Sequence, residues 1–93
     1  MKIYLAGGFF TGWKDKVREA APKFSYYDPE TDSPQDGIAD FVTADLNAID
    51  NCDLVFAYLD NYPKYGGLAA EIGYAYAKGI PIWLSSTKDD TDG

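Results

Sequence analysis

Two uninterrupted apolar runs, Ile3-Tyr4-Leu5-Ala6 and Leu54-Val55-Phe56-Ala57-Tyr58-Leu59, constrain this chain more than any other feature. Neither alternates polar with apolar residues, so each reads as a strand buried on both faces, as in a parallel sheet covered by helices. The first run stops at Gly7-Gly8, a tight-turn signal, and the second is broken by Asp60-Asn61-Tyr62-Pro63. Around them lie segments of helical period. Thr11 is placed to cap a helix over about residues 12–21, with Trp13, Val17 and Ala20 on one face and Lys14, Asp15, Arg18 and Glu19 on the other. Lys23 to Tyr27 forms a second strand by its aromatic content, and residues 28–37 follow as a polar loop, long for so small a domain. Phe41, Val42, Leu46 and Ile49 recur at helical spacing and set a helix over 38–50 that contains Asp45. A third helix runs from about Gly66 to Lys78 and stops at Gly79, which suits a left-handed cap. Ile80 to Leu84 is a fourth strand. Pro81 lacks the N–H a ladder needs, so it belongs at the strand start or on an edge.

This alternation of four strands and three helices predicts an α/β fold with right-handed crossovers. The expected form is a small flavodoxin-like or Rossmann-like three-layer sandwich around a parallel four-stranded sheet of order 2-1-3-4. Ligands of such sheets bind beyond the carboxyl ends of the strands where the winding reverses, here between the first and third strands. Gly7-Gly8-Phe9-Phe10, Asp60 with its loop, and the Gly66-Gly67 entry to the third helix all converge there.

The chain has 93 residues, which reads as one domain over 1–85 followed by an acidic, flexible tail over 86–93. A domain this small buries only about 60 to 65% of its unfolded surface. Its hydrophobic content of 46% and aromatic content of 16% exceed what so thin a core uses, so a homo-oligomer, dimer or higher, is expected. Eight Lys plus Arg face fifteen Asp plus Glu, a net charge of −7. Nucleic-acid binding through phosphates needs basic patches and is disfavoured; a small uncharged ligand fits better. Histidine is absent and Cys52 is the only cysteine, which removes the common general base, the usual zinc ligands and any internal disulfide. The expectation is therefore a cytoplasmic protein without metal or cofactor. No run approaches the roughly 18 apolar residues of a membrane span, and residues 1–6 are too short for a secretory signal.

Acid-base chemistry then falls to carboxylates and tyrosines. Glu71 is the only charged residue between Gly66 and Ala77, a stretch that otherwise reads as a buried helix. Taken alone, a Glu in the first turns of a helix is explained by the partial positive charge there. Asp60 is equally explained as a turn initiator, and Asp45 as a residue on the solvated face of its helix. Together the three supply what glycosidic-bond chemistry requires: one ionised carboxylate to attack or stabilise the anomeric carbon and one protonated group to help the leaving group depart. Tyr4 is unusual in a central strand because its hydroxyl needs a partner, and Glu71 is the candidate. Gly7 and Gly8 let backbone approach a ligand, and the Phe9 and Phe10 rings suit a planar base. No G-x-G-x-x-G or Gly-Lys-Ser/Thr order is present, so NAD and nucleoside triphosphates are poor fits.

At these residues the chain resembles the nucleoside 2-deoxyribosyltransferase family. Ile3-Tyr4-Leu5-Ala6-Gly7-Gly8-Phe9-Phe10-Thr11 is similar to its first-strand motif, Ala44-Asp45-Leu46-Asn47-Ala48-Ile49 to its Asn-Asp-Leu-Asn-Gly-Ile segment, and Asp53 to Lys78 to its strand, loop and Glu-Leu-Gly-Tyr-Ala helix. The resemblance implies that Glu71 attacks C1′ of a 2′-deoxynucleoside, that Tyr4 orients it, that Asp45 assists base departure, and that Phe9 and Phe10 wall the base. Gly7, Gly8, Asp60 and Gly67 would complete substrate binding. The family usually carries an Asp six positions before the nucleophile, where this chain has Tyr65; Asp60 lies upstream of it. Family members also continue into a segment that contacts the sugar hydroxyl in a neighbouring subunit, and nothing in Ser85 to Gly93 matches it. The alternatives to a transferase are a nucleoside or nucleotide N-glycoside hydrolase of the same superfamily and a non-catalytic module that binds a nucleoside-derived molecule.

Overall fold

Strand β1, Lys2–Gly7, lies inside a four-stranded parallel sheet. It pairs on one side with β2, Ser25–Tyr27, and on the other with β3, Leu54–Leu59; β4, Ile82–Ser86, completes the order β2-β1-β3-β4. This is the expected order. The computed structural model describes residues 1–7, 12–33, 37–59 and 66–86. The expectations placed on Gly8, Phe9, Phe10, Thr11, Asp60, Tyr65 and residues 87–93 lie outside the described residues.

Side-chain alternation along the strands divides the interior into two layers. Ile3 and Leu5 of β1 point to one face with Leu54, Phe56 and Tyr58 of β3, where they meet Trp13 and Val17 of helix α1, Trp13–Ala20. Tyr4 and Ala6 point to the opposite face with Val55 and Ala57. There they meet Leu46 and Ile49 of helix α3, Ile38–Asp50, and Leu68, Ile72 and Ala75 of helix α4, Gly66–Ala77. The result is three layers, with α1 on one side and α3 and α4 on the other. Leu5, Ile49 and Val55 are fully buried, and burial of each such side chain contributes roughly 1.5–3 kcal/mol.

Several local expectations change. The two edge strands begin later than predicted: β2 starts at Ser25 and β4 at Ile82, with Pro81 just ahead of β4 and its carbonyl accepting from the Val55 N–H. The N-cap of α1 is Gly12, at φ 69°, with no side-chain cap bond. Lys14, expected on the outer face of α1, is only 6% exposed, because Asp28 lies against it. Ala20 and Val42, expected inside, are exposed. The supposed loop after β2 contains a one-turn helix α2, Pro29–Asp32. Asp28 caps it, accepting from the Glu30 N–H at 3.0 Å, with proline at the first helical position where no N–H is needed.

Helix α4 is also not buried all round. Ala69, Ala70, Gly73, Tyr76 and Ala77 are exposed, since a helix in an outer layer turns only one stripe to the sheet. Gly79 follows at φ 75°, the left-handed stop predicted for it.

Candidate functional site

Because Tyr4 points to the α3 and α4 face, its ring lies where both helices pass. The phenol is fully buried, and its hydroxyl donates to a carboxylate oxygen of Glu71 in the second turn of α4. Asp45, in the middle of α3, is 4% exposed and shares a hydrogen bond with Glu71. The solvated placement considered for Asp45 is therefore not the one adopted. Glu71, Tyr4 and Asp45 come from three separate elements and meet at one point.

Two further residues join them that the sequence did not single out. Ser33, just after α2, donates from its hydroxyl to Asp45 Oδ1 at 2.5 Å, and lies 2.6 Å from the hydroxyl of Tyr27. Tyr27 is registered opposite Tyr4 on the neighbouring strand, and the two rings stack with centroids 5.6 Å apart and planes 11° from parallel. Such a pair contributes about 0.5–1.5 kcal/mol beyond its buried area. The sequence signal for Ser33 was weak: it follows an Asp-Pro helix start, but only tertiary packing puts it against Asp45.

Burial pushes Glu71 up to about 7, and the neighbouring Asp45 charge and hydrogen bond push in the same direction, while the Tyr4 hydroxyl and the Lys14 charge oppose it. Burial also raises Asp45, against the lowering effects of the Ser33 and Glu71 hydrogen bonds and of Lys14. Both carboxyls of the pair therefore hold a proton more tightly than an ordinary carboxyl does. Tyr4 is pushed far above the ordinary phenol range by burial first and by Glu71 second, so it stays a donor.

Beside this cluster sits an ion network. Lys14 Nζ lies 2.6 Å from Asp28 Oδ1 and 3.6 Å from Glu30, and Arg18 reaches Asp28 Oδ2 at 2.9 Å. Burial opposes ionisation of Asp28, but the Lys14 and Arg18 hydrogen bonds outweigh it and hold the carboxyl below its usual range.

Gly7 ends β1 opposite Tyr58, at φ 149°. A Cβ there would lie 2.8 Å from the Trp13 ring and 2.9 Å from the Tyr58 carbonyl oxygen, so its lack of a side chain is what admits the indole. Gly67 is the second residue of α4. A separate apolar groove of about 800 Å³, lined by Ile3, Trp13, Phe24, Tyr26 and Trp83 among others, lies on the α1 face of the sheet, opposite the carboxyl cluster.

The sequence profile of nucleoside 2-deoxyribosyltransferases matches residues 3–92. The chain belongs to the nucleoside 2-deoxyribosyltransferase family. A 2-deoxyribosyltransferase from Leishmania mexicana superposes with a TM-score of 0.77 at 25% identity, covering 92% of this chain and 64% of its own. The enzyme of that name from Bacillus psychrosaccharolyticus gives a TM-score of 0.74 at 24% identity, covering 92% and 72%. A conserved protein from Enterococcus faecalis V583 gives 0.73 at 28% identity, covering 90% and 62%. This member of the family thus spans less than two thirds of the length of the Leishmania protein. Comparison with curated proteins gives no significant match. Among the described residues, no helix is long and apolar enough to cross a membrane.

Proposed function

We propose that the chain is a nucleoside 2-deoxyribosyltransferase-like enzyme. In this reading it cleaves the N-glycosidic bond of a 2′-deoxynucleoside through a covalent deoxyribosyl-Glu71 ester and passes the sugar to another base. The observation that carries it is the meeting of the buried Asp45 with the half-buried Glu71, with the Tyr4 hydroxyl fixed on Glu71 and the Ser33 hydroxyl on Asp45. Two neighbouring carboxyls, one to attack and one to carry a proton, match the two tasks of the reaction.

A nucleoside entering the site takes the place of the Asp45 to Glu71 hydrogen bond, with the base toward Asp45 and C1′ toward Glu71. The proton moves to Asp45, leaving Glu71 ionised and nucleophilic. As the Glu71 oxygen bonds to C1′, the C1′–N bond breaks, its electron pair stays on the base, and Asp45 supplies the proton to that base. An incoming base attacks C1′ from the opposite face, the ester bond breaks back to the Glu71 carboxylate, and the base returns its proton to Asp45. Two inversions give net retention. In this scheme Tyr4 orients Glu71. Phe9 and Phe10 wall the base, and Gly7, Gly8, Asp60 and Gly67 bind substrate. We also propose assembly as a homo-oligomer, supported by the exposed apolar Tyr76, Trp83 and Leu84.

Incubation with deoxyinosine and adenine, followed by chromatography, tests the reading: deoxyadenosine forms with the native chain and not with Glu71→Ala. Transfer that survives this substitution overturns the nucleophile assignment. Release of free deoxyribose without exchange reassigns the chain as an N-glycoside hydrolase, and tight binding without turnover reassigns it as a binding module.

A further inference from the structure

Each carboxyl of the pair has its own hydroxyl partner, and the two partners come from different parts of the chain. Glu71 has Tyr4, a first-strand residue within the family motif. Asp45 has Ser33, which lies in none of the segments that carry the resemblance. Ser33 is itself 6% exposed, and behind it stands Tyr27 at 2.6 Å. A serine hydroxyl has one hydrogen. With that hydrogen on Asp45 Oδ1, the 2.6 Å contact is completed by the Tyr27 hydroxyl donating to Ser33 Oγ. The order of donation therefore runs from Tyr27 to Ser33 to Asp45.

We propose that Ser33, held by Tyr27, is a positioning residue for the reaction proposed above: it occupies Asp45 Oδ1 with a donor, so that the proton Asp45 gives to the departing base is carried on Oδ2. This rests on the transferase reading for its chemical purpose, though not for its geometry. A carboxyl oxygen that already faces an O–H cannot also hold a hydrogen toward it without two hydrogens colliding. Occupying Oδ1 thus confines the proton to one oxygen. It also stabilises the Asp45 anion left after the transfer, making Asp45 a stronger acid toward the base. No proton enters or leaves through Ser33 or Tyr27; the only proton transferred moves from Glu71 to Asp45 Oδ2 and on to the base nitrogen. Among the described residues, Tyr4 from β1 and Lys14 from α1 act on the pair and Tyr27 from β2 acts on Tyr4, with Asp28 beside Lys14.

The test compares the native chain with Ser33→Ala, Ser33→Thr and Tyr27→Phe. The readouts are kcat and KM across pH and a carbon-13 titration of the Asp and Glu carboxyls. Loss of one hydrogen bond to a charged group raises the proton affinity of Asp45 about tenfold in Ser33→Ala. The alkaline limb of the kcat profile, set by loss of the proton that Asp45 must carry, moves up by the same amount, with kcat at neutral pH down about tenfold and KM within about twofold. Threonine, which keeps the hydroxyl, restores both, and Tyr27→Phe, which keeps the stacked ring, gives a smaller shift in the same direction. An unshifted carboxyl titration in Ser33→Ala overturns the proposal. So does a lower rate at every pH with the limb in place, the result of a purely structural role. If the native chain shows no transfer, the proposed function fails, and the titration alone then decides the assignment of Ser33.

Discussion

The Tyr4 hydroxyl donates to Glu71 across 67 positions of the chain, tying the middle of β1 to the second turn of α4. The bond lowers the proton affinity of Glu71 against the opposite pull of burial and of Asp45. Tyr4→Phe keeps the ring stacked on Tyr27 and removes only the donor. We expect kcat to fall about 10- to 100-fold, and the acid limb of its pH profile to move to higher pH. A profile that superposes on the native one after scaling would show that Tyr4 does not act through Glu71.

The pH dependence of stability should run against that of activity. The Glu71 carboxyl lies at about 7 in the fold against an ordinary 4.5, so between those values the folded chain holds more protons than the unfolded one. Stability from this group is complete below about pH 4.5 and is lost as pH rises through about 7. Glu71→Gln, whose amide accepts from Tyr4 and donates to Asp45 without ionising, should be more stable than the native chain above pH 7 by roughly 1–3 kcal/mol. The transferase activity proposed above should fall by about a thousandfold or more. Urea titrations at pH 5 and 8 with the exchange assay check both. Equal stability of the two chains at pH 8 would contradict the raised proton affinity.

Asp28 makes the opposite prediction. Its folded proton affinity is depressed, so its contribution is present above its ordinary value of 3.8 and is lost as pH falls through the depressed folded value. Asp28→Asn retains a cap for α2 but removes the counter-charge 2.6 Å from buried Lys14. Destabilisation of about 2–4 kcal/mol at pH 7 is expected, shrinking toward acid pH. Urea midpoints that differ by the same amount at pH 3 and pH 7 would place the loss elsewhere.

Gly7→Ala introduces a Cβ between the Trp13 ring and the Tyr58 carbonyl, at a backbone angle that L-residues seldom adopt. Both contacts fall below 3.0 Å, and one of them is backbone that cannot step aside. We expect a loss of about 2–4 kcal/mol. Thermal unfolding is the measurement, and an unchanged Tm would mean that α1 packs elsewhere.

The elements most legible in the sequence were those with the strongest pattern. Helix α3 starts and ends where its apolar spacing predicts, and β3 coincides with its apolar run. Gly79 stops α4 as a left-handed residue. The sheet order is the expected one. Helix α2 was missed although Asp28-Pro29 is a helix-start signature, because one turn of four residues carries no periodicity. Lys14 was misplaced because its position on the helix said charged and outward. Asp28, brought alongside by β2 pairing with β1, supplies the counter-charge that makes its burial tolerable.

By itself the sequence determined the layers, since unbroken apolar runs must be covered on both faces, and a chain without histidine directs any acid-base proposal to carboxyls and phenols. It also named Tyr4, Asp45 and Glu71. How tightly each carboxyl holds a proton was decided by the tertiary structure. That depends on burial, on Tyr4 meeting Glu71, and on Ser33 and Tyr27 meeting Asp45, contacts between residues up to 67 positions apart that no local pattern encodes. Proton affinity is a property of surroundings, and those surroundings form only when β1, β2, α3 and α4 pack together.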